Sequence, residues 1–135
     1  MTTAVLNSIL YVEDEPDIMD VVRMALEVIS GFTFQAYSCG YDAIEAVKTG
    51  FSPDLILLDV MMPKIDGPTT LLELRKLPTT AKTPAIFMTA KTQQFDVSYY
   101  ASLGALGVIP KPFDPMSLEM QLRQFWEFRP KPKLL

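Results

Sequence analysis

Short apolar runs alternate with helical repeats along the whole chain. The runs fall at residues 9–12, 32–37, 55–58, 85–88 and 106–109. Between them, apolar residues recur at the three- and four-residue spacing of an amphipathic helix. Five strands that alternate with five helices predict an α/β domain with a parallel sheet, right-handed crossovers and helices on both faces.

The apolar patterns differ from one element to the next. The run at 55–58 is apolar throughout, which is typical of a strand covered on both faces, whereas 32–37 alternates as an edge strand does. The first helix has the clearest repeat, formed by Ile18, Val21, Val22, Ala25, Leu26 and Ile29. The other helices are predicted at 40–49, 67–76, 94–103 and from about 115, and the helix at 94–103 has the weakest pattern.

Composition excludes several classes of site. The 135 residues include no His and one Cys, so a Ser-His-Asp triad, a His-liganded zinc and a disulfide framework are excluded. The net charge of −4 argues against a nucleic-acid surface. The sequence shows no secretory signal and no apolar run long enough to cross a membrane, so we expect a soluble, cytoplasmic domain.

Polar residues follow four of the five predicted strands. Glu13 and Asp14 follow the first, Asp59 the third, Thr89 the fourth and Lys111 the fifth. The carboxyl ends of parallel strands meet at one edge of a sheet, where doubly wound folds carry their sites. Carboxylates suit Mg²⁺, and an ammonium and a hydroxyl suit phosphoryl oxygens. The set predicts a phosphoryl site with Asp59 as the nucleophile.

Each of these residues also has an ordinary structural interpretation. Asp14 alone is typical of a helix cap, Thr89 of a strand-end hydroxyl and Lys111 of a surface charge. Asp66 is better explained as a cap or turn residue than as a ligand, and Cys39 as a residue without a role. The joint occurrence of the set at the strand ends favours a site.

Four segments of the chain resemble the receiver domains of two-component response regulators. They are Val12-Glu13-Asp14-Glu15-Pro16, Leu58-Asp59-Val60-Met61-Met62-Pro63-Lys64-Ile65-Asp66-Gly67, Met88-Thr89-Ala90 and Lys111-Pro112-Phe113. The resemblance covers residues 7–128 and leaves 129–135 as a basic Pro/Lys tail or truncated linker. It implies a doubly wound (βα)5 flavodoxin-like fold with strand order 2-1-3-4-5.

The resemblance also implies a role for each site residue. Asp59 accepts a phosphoryl group from the phosphohistidine of a sensor histidine kinase or a histidine phosphotransfer protein. Mg²⁺, with Mn²⁺ as a substitute, is bound by Asp14, Asp59, the Met61 carbonyl and, through water, Glu13. Thr89, Lys111 and the Ala90 N–H hold the phosphoryl oxygens. The Lys111-Pro112 bond is expected to be cis.

The sequence departs from the commonest family pattern at three positions. Glu13 stands where Asp is more usual, which leaves the chemistry intact. Val108 stands where many members carry an aromatic residue that switches together with Thr89, so coupling is expected to run through residues 89–104 instead. Pro110 lacks a backbone donor and predicts a local irregularity at the end of the fifth strand.

These features predict a signalling switch that catalyses only its own phosphoryl transfer and autodephosphorylation. Met61 and Lys91 offer no carboxylate or amide to orient a water, so slow hydrolysis is expected. The phosphorylated domain is expected to contact a downstream protein or output domain through the face formed by helix 4, strand 5 and helix 5. A phosphorylation-dependent dimer is another expected assembly. No direct nucleic-acid or membrane binding is expected of this domain.

Two other functions remain as alternatives. A haloacid-dehalogenase-type phosphatase also places a nucleophilic Asp after a strand, but it needs a general-acid Asp where this chain has Met61. A degenerate receiver would act only as an interaction surface, against which the intact Asp14, Asp59, Thr89 and Lys111 argue. The chain is either a stand-alone receiver or a part of a longer regulator or hybrid kinase.

Overall fold

A five-stranded parallel sheet forms the centre of the protein. The computed structural model describes residues 5–90 and 94–130. The strands are β1 (Ser8–Val12), β2 (Thr33–Tyr37), β3 (Leu55–Asp59), β4 (Ala85–Thr89) and β5 (Gly107–Pro110). They are parallel and lie in the order β2-β1-β3-β4-β5, which confirms the predicted fold and the edge position of β2.

Helices connect the strands on both faces of the sheet. They are α1 (Pro16–Arg23), α2 (Gly40–Lys48), α3 (Gly67–Arg75), α4 (Gln94–Ser102) and α5 (Leu118–Glu127). Short 3-10 helices lie at Pro78–Thr80 and Pro115–Ser117. In the ranges that the structure describes, none of the helices is both long and apolar enough to span a bilayer.

Alternation along the strands divides the core into two layers. One layer contains Leu10, Leu58 and Phe87 and is covered by α2, α3 and Tyr100 of α4. The other contains Ile9, Tyr11, Leu57 and Ile86 and is covered by α1 and α5. Because β1, β3 and β4 are buried on both faces, their sequences are apolar almost throughout.

The first helix differs from its predicted form. After Arg23 it continues as a π-helical segment, Met24–Ile29. The Ser30 N–H donates to the Ala25 carbonyl, five residues back, at 3.2 Å, which is the wider turn of a π-helix. Of the predicted repeat, Val22, Ala25 and Leu26 are buried, whereas Val21 and Ile29 are 43% and 63% exposed.

The irregularity expected at Pro110 is also absent. Pro110 lies in β5 opposite Thr89, and the Lys111 N–H donates to the Thr89 carbonyl at 2.9 Å. Because neighbouring residues of a strand point their N–H groups to opposite sides, the Pro110 nitrogen faces away from β4. No strand pairs there, since β5 is the edge of the sheet, and the missing donor costs no ladder bond.

Candidate functional site

The carboxyl ends of four strands bring the predicted side chains to one rim. The backbone holds their positions: Glu13 N–H donates to the Tyr37 carbonyl at 3.0 Å, and Val60 N–H, beside Asp59, donates to the Met88 carbonyl at 3.1 Å. The side chains of Glu13, Asp59 and Thr89 are buried. The structure therefore gathers residues that are far apart in sequence into a site closed from most of the solvent.

Lys111 lies between two of the carboxylates. Its Nζ is 2.9 Å from Glu13 Oε1 and 3.0 Å from Asp59 Oδ1. Burial lowers the pKa of Lys111, but its hydrogen bonds with Glu13 and Asp59 outweigh that effect and raise the pKa overall. The ammonium is therefore a fixed positive charge at the centre of the rim.

Among the described residues of the rim, three carboxylates, those of Glu13, Asp14 and Asp59, surround the Lys111 ammonium. Burial, and then repulsion by Glu13, raise the pKa of Asp59 to about 7, although Lys111 acts in the opposite direction. A carboxylate with a raised pKa between like charges indicates a site that a further cation would stabilise.

The acidic cluster fits a hard divalent cation. One carboxylate oxygen from each of Glu13, Asp14 and Asp59 can be chosen so that all three lie within 4.8 Å of one another. In the part of the chain that the structure describes, Asp14 Oδ1 is the one buried side-chain oxygen or nitrogen without a hydrogen-bond partner. Buried polar atoms are rarely left unpaired, and oxygen donors of this kind suit Mg²⁺. These residues can hold a metal ion.

Tyr11 belongs to the site and was missed by the sequence analysis. Its hydroxyl donates to Glu13 Oε1 at 3.1 Å, while its ring lies 5.9 Å from the ring of Phe34 in the core. Glu13 Oε2 also accepts from the Glu15 N–H at 3.4 Å. The alternation of β1 places Tyr11 and Glu13 on one face of the strand, which is the signal that could have indicated this contact.

The loop from β3 to α3 folds back over Asp59. The Gly67 N–H donates to the Val60 carbonyl at 2.8 Å, and a Cβ at Gly67 would overlap the Asp59 carbonyl oxygen. Only glycine allows this approach. Met61, two residues after Asp59 in the same loop, is 62% exposed.

The other residues that the sequence predicted for the site lie at its edge, in the core or outside the described residues. Ala90 is exposed and lines a cleft with Lys111. Val108 is half-buried and packs against the core layer of Phe87. Lys91 lies outside the described residues. The Lys111-Pro112 bond is cis, as expected.

Three ordinary interpretations can also be compared with the structure. Asp66 caps α3, since its Oδ1 accepts from the Thr69 N–H at 2.8 Å. Asp14 is not a cap, because Glu15 occupies the cap position of α1. Cys39 precedes α2 and makes no capping hydrogen bond with its side chain.

Solved structures share this architecture. The chemotaxis protein CheY4 of Vibrio cholerae aligns with a TM-score of 0.82 and 25% identity, over 90% of this chain and 99% of CheY4. The receiver domain of the sensor histidine kinase PA1611 from Pseudomonas aeruginosa aligns with a TM-score of 0.77 and 26% identity, over 90% and 98% of the chains. That structure holds a magnesium ion in its active site cleft.

Sequence comparisons agree with the structural ones. The response regulator SaeR of Staphylococcus epidermidis is 32% identical over 116 residues, which are 86% of this chain and 48% of SaeR. The chain spans about half the length of such curated relatives. A model of the response regulator receiver domain matches residues 9–123. With its fold and its acidic rim, the chain belongs to the receiver domain family of response regulators.

Proposed function

We propose that this receiver domain is a phosphorylation switch in which Asp59 accepts a phosphoryl group from a phosphohistidine. The donor is a sensor histidine kinase or a histidine phosphotransfer protein. One observation carries the proposal: buried Asp59 lies 3.0 Å from the Lys111 ammonium, within the same cluster as the unpartnered Asp14 oxygen.

The transfer exchanges one bond for another. An Asp59 carboxylate oxygen attacks the phosphorus, the P–O bond forms, and the P–N bond to the donor imidazole breaks. The imidazole nitrogen keeps the electron pair and takes up a proton. Lys111 moves from its two carboxylates to a phosphoryl oxygen, and Thr89 and the Ala90 N–H donate to the others.

We propose that Mg²⁺, or Mn²⁺ in its place, is the resident cation. The carboxylates of Glu13, Asp14 and Asp59 and the Met61 carbonyl would hold it. The ion supplies positive charge that allows an anionic donor to approach an acidic site. The same residues would support autodephosphorylation, which we expect to be slow because Met61 offers no group to orient a water.

Small phosphodonors give the direct test. Acetyl phosphate with Mg²⁺ should add one phosphoryl group to the wild-type chain, measured by intact-mass spectrometry. Asp59→Asn should abolish the addition, since an amide is a poor nucleophile. Asp42→Asn on the exposed surface of α2 is the control and should label normally. Equal labelling of Asp59→Asn and wild type, or labelling in excess chelator, would refute the proposal.

A cleft beside the rim supports a docking site for the phosphodonor protein. It has a volume of about 470 Å³ and lies between α1 and the segment after β5. Its lining is Asp17, Ile18, Val21, Ala90, Lys111, Pro112, Phe113 and Pro115. A donor protein must bring its phosphohistidine to Lys111 and Asp59, so an apolar surface that includes Lys111 is the natural place for it to bind.

A charged substitution in this cleft should slow phosphoryl transfer from a protein donor much more than transfer from a small phosphodonor. Val21→Asp should slow transfer about tenfold from a histidine phosphotransfer protein that phosphorylates wild type, because it places a charge in an apolar contact. Acetyl phosphate labelling should change less than about twofold, since a small donor does not depend on the contacts that a protein makes in the cleft. Val28→Asp, at a site 64% exposed and outside the cleft, is the matched control. Equal slowing by both substitutions would contradict the docking site.

We propose that output passes through the face formed by α4, β5 and α5. A cleft beside β5 and α5 is lined by Leu106, Phe125 and Phe128, so this face offers apolar surface to a partner. The partner is a separate protein, an output domain or a second receiver in a phosphorylation-dependent dimer. The family match favours this switch over a haloacid-dehalogenase-type phosphatase.

A further inference from the structure

Two donors share one oxygen of the Glu13 carboxylate. The Tyr11 hydroxyl donates to Oε1 at 3.1 Å, and the Lys111 ammonium donates to the same atom at 2.9 Å. The other oxygen, Oε2, accepts a longer bond of 3.4 Å from the Glu15 N–H. Because Glu13 is fully buried, bulk water has no access to the carboxylate and cannot replace a donor that leaves.

The two donors differ in their freedom to move. Tyr11 is fully buried, its ring lies 5.9 Å from the ring of Phe34, and its backbone lies in β1 between β2 and β3. Lys111 follows the edge strand β5 and carries its ammonium on a flexible four-carbon chain, which also reaches Asp59 Oδ1 at 3.0 Å. The phenol is therefore a fixed donor to Glu13, and the ammonium is the donor that can leave.

We propose that Tyr11 is a positioning residue that keeps Glu13 Oε1 hydrogen-bonded when Lys111 moves to a phosphoryl oxygen on Asp59. Removing a donor from a buried carboxylate is costly unless another donor remains. With the Tyr11 hydroxyl in place, Oε1 keeps one of its two donors after Lys111 has left. Without the hydroxyl, the same movement removes the last of the two, so Glu13 holds Lys111 more firmly and opposes phosphoryl binding.

The length of Glu13 makes this contact possible. Residues 11 and 13 point to one side of the extended chain, where a tyrosine side chain reaches further from the backbone than either acid does. An Asp at position 13, the more usual residue in the family, is one methylene shorter and would place its oxygens about 1.5 Å nearer to the backbone. The bond of 3.1 Å from Tyr11 would then lengthen beyond hydrogen-bonding distance. The Tyr11 hydroxyl therefore acts together with the unusual Glu13.

Tyr11→Phe tests this role because it keeps the ring and removes the donor; the test rests on the proposed function, in which Lys111 moves to the phosphoryl group. Binding of beryllofluoride at saturating Mg²⁺, measured by titration calorimetry, should become about tenfold weaker. The affinity for Mg²⁺ alone should change less than about twofold, because Lys111 keeps its bond to Glu13 when no phosphoryl group is present.

Tyr37→Phe is the matched control. It removes a tyrosine hydroxyl that donates to Gln35 at 2.6 Å, outside the acidic rim. Its affinities for Mg²⁺ and for beryllofluoride should both stay within about twofold of wild type, since neither Glu13 oxygen loses a donor.

A double-mutant cycle with Glu13→Asp separates positioning from a structural defect. In the Glu13→Asp background the carboxylate no longer reaches the Tyr11 hydroxyl, so Tyr11→Phe should change beryllofluoride affinity less than about twofold. A defect caused only by removing a hydroxyl from the core would weaken binding by the same factor in both backgrounds.

The outcomes distinguish this inference from the proposed function. Beryllofluoride binding that depends on Asp59 but is the same in Tyr11→Phe and Tyr37→Phe would overturn the inference alone. Equal losses of affinity for Mg²⁺ and for beryllofluoride in Tyr11→Phe would also overturn it, as would an equally large effect in the Glu13→Asp background. Binding that Asp59→Asn leaves intact would overturn the proposed function and the inference together.

Discussion

At the scale of single residues, Tyr11 links the hydrophobic core to the acidic rim. Its side chain is fully buried, and its hydroxyl donates to Glu13 Oε1, which also accepts from Lys111. Burial, followed by the charge of Glu13, raises the pKa of the Tyr11 phenol far above its usual value. Tyr11 therefore stays protonated and remains a donor to Glu13.

Tyr11→Phe should destabilise the fold because it leaves a buried carboxylate with one donor fewer. We expect the free energy of unfolding to fall by about 1–2 kcal/mol, measured by urea denaturation. Tyr37→Phe is the control: Tyr37 is half-buried on the edge strand and donates to Gln35 at 2.6 Å. Equal losses in the two variants would argue against a special role for the Tyr11–Glu13 contact.

At the scale of elements, the β3–α3 loop depends on Gly67. A Cβ at this position would meet the backbone carbonyl of Asp59, and a backbone atom cannot move aside as a flexible side chain can. Lys64, within the loop, has a φ of 70°, so the loop also contains a residue in the left-handed region. The position of the Asp59 backbone and the conformation of this loop therefore depend on each other.

Gly67→Ala should displace this loop from Asp59. We expect a loss of about 2 kcal/mol or more in the free energy of unfolding, together with weaker beryllofluoride binding, because overpacking moves the acceptor residue itself. Thr69→Ala, at an exposed position of the same helix, should leave both nearly unchanged. Normal binding by Gly67→Ala would show that the loop can adjust without moving Asp59.

At the scale of the whole molecule, the acidic rim links folding stability to pH. The pKa of Asp59 rises from 3.8 to about 7 on folding, so between these values the folded state binds more protons than the unfolded state. Stability should therefore decrease as the pH rises through this window. A cation held by the carboxylates would oppose the decrease.

Asp59→Asn should remove this dependence. In chelator and well above pH 7, the variant should be more stable than wild type by an amount on the order of 2 kcal/mol, because a buried charge is replaced by a neutral amide. The difference should shrink below about pH 3, where the wild-type carboxyl is largely protonated in both states, and on addition of Mg²⁺. If the wild-type protein in chelator became more stable as the pH rises, the predicted direction of the pH dependence would be wrong.

Most of the fold was predictable because it depends on local patterns. Residues 55–58 and 85–88 are apolar throughout, as buried strands must be, and Pro16 and Gly31 flank the first helical stretch. The π-helical segment at Met24–Ile29 was not predictable, since a three- and four-residue repeat is compatible with a continuous α-helix. Its wider turn is visible only in the hydrogen bonds around Ala25 and Ser30.

The sequence alone was enough to predict the succession of strands and helices along the chain, the residues at the strand ends and the resemblance to receiver domains, because each is encoded by neighbouring positions. Three contacts could be seen only in the folded protein: the Tyr11 hydroxyl donates to Glu13, Gly67 meets the Asp59 carbonyl, and the Tyr100 ring of α4 packs near Phe87. These contacts depend on how separate elements pack, and their distances and burial arise only when the chain is folded.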